Sequence, residues 1–174
     1  MKIYLASDHA GFDFKKHVKK FLTKKGYDVE DCGPLIFDKD DDYPDFVSKA
    51  AEAVSKDPTN SVGFLCANTG QAEAMLANQY PGVRCALFYA PAVAVGTVDV
   101  TGRKSTDQLE IVNLARDHND ANMLSLSGKF MDLKTAEQAI ERFLNTPFSN
   151  APRHSRRIEK IKDIEASCGF GCSC

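Results

Sequence analysis

The sequence predicts an α/β protein, a doubly wound sandwich built on a parallel sheet of five strands. Two observations carry that prediction. Short apolar runs alternate along the chain with longer amphipathic ones, the pattern of successive βαβ units. The length, 174 residues, fits one domain of ordinary size, and 43% hydrophobic residues can supply its core without disulfide or metal staples.

Lys2–Ser7 is a short apolar strand that starts at the N-terminus. Phe12–Lys25 follows, with Phe14, Val18, Phe21 and Leu22 at helical spacing and Gly26 placed to stop the helix. Asp28–Cys32 reads as the second strand and Phe46–Lys56 as the second helix. Ser61–Ala67 has the unbroken apolar character of a strand covered on both faces. A polar turn then leads into a helix of small residues over Gln71–Gln79. Val83–Tyr89 and Asn122–Leu126 are the fourth and fifth strands, with a helical run over Leu109–Asp117 between them. Helices over Leu133–Leu144 and Pro152–Ala166 complete a single domain spanning residues 1–166. Within it, about residues 91–106, β-branched residues and glycines predict an inserted loop or small hairpin, either surface decoration or a lid. Residues 167–174 read as a mobile, cysteine-rich tail.

Several classes of function are excluded early. The chain has 22 basic and 24 acidic side chains, so no basic excess marks it as a nucleic-acid binder. No apolar run approaches the ~20 residues of a membrane span, and the N-terminus lacks a signal-peptide pattern. A cytoplasmic protein with no membrane partner is expected. There, Cys32, Cys66 and Cys85 read as small buried hydrophobes or as site thiols. Cys168, Cys172 and Cys174 lack a second ligand pair at structural-zinc spacing, and no metal is expected.

Ligands of open parallel sheets bind beyond the carboxyl ends of the strands. That rule selects Asp8-His9, with Gly11 at the following helix start, the turn after Cys66, Tyr89-Ala90 and Gly128-Lys129. The acidic turn Asp38–Pro44 lacks calcium-loop spacing and reads as a solvated helix start. Cys66-Ala67-Asn68-Thr69-Gly70-Gln71-Ala72-Glu73 is the most informative segment. Free N–H groups at such a helix start can hold a phosphate or a developing enediolate. Glu73 either acts as a base on a bound substrate or complements the helix dipole, and spacing leaves both open. His118 is similarly a proton donor or a helix C-cap. Arg153 and Arg157, four apart on one helix face, can grip an anion. No Gly-x-Gly-x-x-Gly follows the first strand, which counts against a flavin or dinucleotide site.

Five motifs occur in order: Ser7-Asp8-His9-Ala10-Gly11, Asp42-Tyr43-Pro44, Pro81-Gly82-Val83-Arg84, His118-Asn119-Asp120-Ala121-Asn122 and Arg153-His154-Ser155-Arg156-Arg157. Together they resemble the type B ribose-5-phosphate isomerase family, which includes the galactose-6-phosphate isomerase subunits. The resemblance spans nearly the whole chain, apart from the insertion after Tyr89 and the tail. It implies a Rossmann-like three-layer α/β/α sandwich that forms homodimers or tetramers with sites shared at the interface, and neither metal nor cofactor. It also implies aldose–ketose isomerisation of a sugar phosphate through a cis-enediolate, first of all ribose 5-phosphate and ribulose 5-phosphate. The alternatives are the same chemistry on a tetrose or hexose phosphate, such as galactose 6-phosphate or allose 6-phosphate, or a non-catalytic sugar-phosphate-binding subunit.

By the same resemblance, His118 protonates the ring oxygen with Asp8 assisting. His9, Arg153 and Arg157 hold the phosphate, Tyr43 lines the site, and Asn119 belongs to the binding set. Backbone N–H groups around Thr69 and Gly70 stabilise the enediolate. Many members carry a Cys immediately before the turn; that position is Ala67 here, and Cys66 falls one residue early, on the other face of the strand. Another branch uses a Glu three residues after the last Gly of the turn, where Glu73 stands. Glu73 is therefore the expected base and Cys66 the alternative. Asn68 and Ala72 replace glycines of the family turn, and Lys129 replaces an Arg that binds phosphate, keeping the charge but not the bidentate fork. These departures bear on which sugar is used more than on the reaction.

Overall fold

The structure, a computed structural model, describes residues 1–167; Cys168, Cys172 and Cys174 lie outside the described residues. Five strands, β1 (Lys2–Ser7), β2 (Asp28–Asp31), β3 (Ser61–Ala67), β4 (Cys85–Phe88) and β5 (Met123–Ser127), form one sheet in the order β2-β1-β3-β5-β4. Every pairing is parallel. The helices are α1 (Phe12–Lys24), α2 (Pro44–Lys56), α3 (Gln71–Ala77), α4 (Glu110–Asn119), α5 (Leu133–Asn145) and α6 (Pro152–Ser167). None of the described helices is long and apolar enough to cross a membrane.

Side-chain alternation in the strands sorts the core into two layers. Ile3, Leu5, Phe64, Cys66, Leu124 and Leu126 face α1, α4 and α5, where they meet Val18, Leu22, Val112, Ala115, Ile140 and Phe143. Ala6, Leu65 and Met123 face α2 and α3, meeting Val47, Ala50, Ala51, Val54 and Ala77. The central strand β3 is buried at every residue, as its unbroken apolar run requires. Its Phe64 ring meets the Phe143 ring edge-on at 5.7 Å.

Boundaries depart from the sequence expectation where long-range hydrogen bonds intervene. The fourth strand begins at Cys85 rather than Val83, because the Arg84 N–H donates sideways to Asn122 Oδ1. Helix α3 ends at Ala77, short of Gln79: the Asn78 amide donates to the carbonyls of Ala74 and Cys85, and its Oδ1 accepts from the Cys85 N–H. Helix α2 begins two residues early, at Pro44, whose fixed φ suits a first helical turn. The segment 91–106 is a loop without strand. It is braced internally: Asp99 accepts from Thr101 and Arg103, and buried Glu110 accepts from Arg103 and Ser105.

From β1 the chain places β2 on one side and β3 on the other, so direction switches between β1 and β3. The carboxyl ends of those two strands open the crevice where such sheets bind ligands.

Candidate active site

At that crevice the chain after β1 folds tightly. The Asp8 carboxylate accepts from the Gly11 N–H at 3.1 Å and closes a single turn over His9–Gly11. A Cβ on Gly11 would lie 1.8 Å from the carbonyl oxygen of Cys66, so only glycine lets this turn press against the end of β3. Asp8 and His9 are thereby held beside the turn 68–70.

That turn is set by Gly70, which has φ +75° at the start of α3; a Cβ there would meet Leu87 Cδ1 and Ser125 Oγ, each at 2.8 Å. Asn68 is exposed and Thr69 half-buried. Among the described residues the N–H groups of Thr69 and Gly70 have no acceptor. The N–H groups of Gly128 and Lys129 donate to the carbonyls of Ala67 and Asn68, which brings Lys129 to the same edge. Tyr43, at the start of α2, is half-buried against the α2–α3 layer.

Glu73 lies in the first turn of α3 and is only 5% exposed. No other described residue donates a hydrogen bond to its carboxylate. Burial pushes its pKa up, and the nearby Asp8 charge adds to the rise. Cys66 is fully buried in the α1–α4–α5 layer alongside Phe64, and burial pushes its thiol far up. Its side chain sits in the core, among those that face α1, α4 and α5.

His9 is gripped by a residue that sequence reading placed elsewhere. Its ring Nδ1 and its backbone N–H both lie 2.8 Å from Asp41 Oδ1. The acidic turn is thus not simply a solvated helix start, since the Asp41 side chain is turned inward and 7% exposed. The pair raises the pKa of His9.

The remaining expected residues gather at the opposite edge of the sheet. Helix α4 runs antiparallel to the strands, so His118 and Asn119 at its end fall near the start of β5. At about 3.3 Å per residue, β5 separates them from the Lys129 edge by roughly 15 Å. The His118 ring lies 4.2 Å from the His154 ring, and its Nε2 is 3.3 Å from Asp117 Oδ2. His154, 4% exposed, accepts from Arg153 Nε at 2.8 Å and bonds Ser149 Oγ at 3.1 Å. Burial and the neighbouring His118 push its pKa down, which keeps it neutral. His118, Asn119, His154 and Arg157 line a groove of about 620 Å³ bounded by β4, α4 and α6. Within one chain, therefore, Asp8, His9, Tyr43, Asn68, Thr69, Gly70, Glu73 and Lys129 share one edge of the sheet. His118, Asn119, Arg153 and Arg157 share the other.

The family model described as Ribose/Galactose Isomerase matches residues 3–101 and 105–161. The chain belongs to that family. Ribose-5-phosphate isomerase B of Mycolicibacterium paratuberculosis is 36% identical over 165 residues, covering 95% of this chain and 92% of the relative. Among solved structures, ribose-5-phosphate isomerase B from Mycoplasma genitalium with bound ribulose 5-phosphate matches with TM-score 0.81 at 34% identity, covering 95% of this chain and 96% of that one. The Clostridium thermocellum enzyme matches with TM-score 0.81 at 32% identity, covering 97% and 100%.

Two residues of this family member escaped sequence reasoning. His154 sits inside a quoted motif, but nothing local distinguishes it from an ordinary helix-surface histidine. Asp41 is one of four aspartates between positions 38 and 42, and only its contact with a residue 32 positions away singles it out.

Proposed function

We propose that this chain interconverts ribose 5-phosphate and ribulose 5-phosphate as a homodimer, or as a tetramer of paired dimers, each site drawing one half from each of two copies. Glu73 carries the reading: a nearly buried carboxylate with no hydrogen-bond donor among the described residues except its own backbone N–H, beside Asp8, at the switch-point crevice. A buried carboxylate with no cationic partner costs stability, and a base with its pKa raised is what proton abstraction next to a carbonyl needs.

The steps follow from the two edges. His118 from a second copy donates a proton to the ring oxygen as the C1–O bond breaks, and Asp8 takes the proton of the C1 hydroxyl, leaving the open-chain aldehyde. Glu73 removes the C2 proton. The charge that develops on the enediolate oxygens is met by the free N–H groups of Thr69 and Gly70. The O2 hydroxyl proton passes to O1 across the cis-enediolate, and return of the proton from Glu73 to C1 gives the ketose. Arg153 spends its Nε on His154 and keeps both terminal nitrogens for phosphate, which Arg157 and His9 share. Tyr43, Asn68, Asn119 and Lys129 line the sugar.

Proton NMR of the protein with ribose 5-phosphate in heavy water tests this. Ribulose 5-phosphate should form with deuterium entering from solvent, and Glu73→Gln should still bind substrate while losing turnover. Full activity in Glu73→Gln would remove Glu73 from the mechanism. No turnover of ribose 5-phosphate by the wild type would remove the pentose assignment.

A further inference from the structure

The Asp41–His9 contact has no evident purpose in holding the fold together. Asp41 Oδ1 takes both the His9 backbone N–H and ring Nδ1, yet Asp41 Oδ2 is buried without a partner among the described residues. Burying half of a carboxylate unsatisfied is unfavourable in itself, and such violations of local economy concentrate at functional sites.

The loop that delivers Asp41 is anchored firmly. Its near end is pinned by Lys15, whose buried ammonium donates to Asp31 and to the Pro34 carbonyl. Farther along, the Phe37 ring meets Phe12 at 5.6 Å. Its far end runs into α2 at Pro44. Asp41 is therefore presented to His9 by a braced segment.

The contact also dictates which ring nitrogen is available. With Nδ1 committed to Asp41, Nε2 is the nitrogen left to the crevice. In a neutral ring that donates through Nδ1, Nε2 is an acceptor and would repel a phosphate oxygen; in the imidazolium it is a charged donor. We infer that Asp41 is a positioning residue for substrate phosphate: it fixes the His9 ring and holds it as the imidazolium, so that Nε2–H faces the anion. This rests on the phosphate role of His9 given above. The carboxylates acting on the ring are Asp41, from the loop before α2, and Asp8, from the end of β1. Asp8 is itself engaged by the Gly11 N–H. Both favour the charged ring, and Asp41 dominates through its direct hydrogen bond.

The experiment uses the full chain and compares wild type, Asp41→Asn, His9→Asn and the double variant. Steady-state kinetics with ribose 5-phosphate is run across about pH 6 to 9, with NMR titration of the His9 ring in parallel. Asp41→Asn should lower the His9 midpoint, because it removes the hydrogen-bonded carboxylate that raises it. KM should rise about tenfold near pH 8 and by less as the pH falls toward 6, while kcat stays within about twofold. The substrate's own phosphate titrates identically in every variant and cancels from the comparison. The double variant should be no worse than His9→Asn.

A rise in KM independent of pH, an equal loss in kcat, or a loss that adds to that of His9→Asn would reduce Asp41 to a structural residue and overturn the inference. Unshifted His9 midpoints overturn it whatever the kinetics. A shifted midpoint with His9→Asn leaving KM untouched instead overturns the phosphate role of His9. A shifted midpoint with no turnover in any variant, wild type included, supports the pair and sinks the isomerase reading.

Discussion

The two edges of the sheet are built by different means. At the carboxyl edge the backbone does most of the shaping: Gly11 allows the β1 turn to press against the Cys66 carbonyl, Gly70 turns the chain at φ +75°, and the N–H groups of Thr69 and Gly70 have no acceptor among the described residues. At the amino edge the shaping is done by side chains, with two adjoining imidazoles tilted at 46° to each other, an arginine bonded to one of them, and a second arginine on the same helix. The first edge resembles a preformed anion and enediolate cradle, and the second a proton donor with cationic clamps. On the proposed mechanism neither is a complete site. Their separation along the sheet makes a second copy of the chain the natural means of joining them.

The comparison can be broken most severely at Glu73. Glu73→Gln should lower kcat by about 10²- to 10⁴-fold, the usual contribution of a positioned base. Because burial raises the Glu73 pKa in the folded state, the wild-type kcat should fall on the acid side at a higher pH than an ordinary carboxylate would give. The same shift has a stability consequence. A carboxyl whose folded pKa lies above its unfolded value contributes most below the unfolded pKa and loses that contribution as pH rises. Glu73→Gln should therefore melt at a higher temperature than wild type near neutral pH, with the gap closing below about pH 4. A variant that is inactive and less stable at neutral pH would argue that Glu73 is structural.

Gly70→Ala tests the backbone edge with a smaller effect. The left-handed conformation and the two 2.8 Å contacts of its Cβ should cost about 1–3 kcal/mol in unfolding free energy and shift the turn that supplies the N–H groups. Denaturant titration and kcat together read both consequences. Normal kcat with lost stability would take the turn out of the chemistry. Smallest of all is Cys66→Ala. It should cost about 1 kcal/mol of stability by removing a buried sulfur, with activity kept within about twofold. A large loss of kcat would restore the thiol as the base.

Much of this was legible in the sequence. The unbroken run Ser61–Ala67 is the central strand, and the helical spacing of Val18 and Leu22 puts both in the core. The one-residue offset of Cys66 correctly turned its side chain away from the turn, because strand alternation is a local property. What stayed hidden depends on partners far along the chain. Nothing near Asn122 announces that its side chain delays the start of the fourth strand by accepting from Arg84. Nothing within the acidic run distinguishes Asp41 from its neighbours until His9 is brought against it. The separation of His118 from Glu73 was readable in principle, since a helix between two parallel strands must end at their amino edge.

The central claim is that the two edges act as halves of one site supplied by two copies of the chain. Mixing Glu73→Gln with His118→Asn, each inactive alone, tests it most directly after subunit exchange by mild denaturation and refolding. In a mixed dimer one site carries both defects and the other carries neither. A statistical mixture should therefore regain about a quarter of wild-type activity. If the mixture stays inactive although sizing and native mass spectrometry show mixed dimers, both residues act within a single chain and the account of a shared site is wrong.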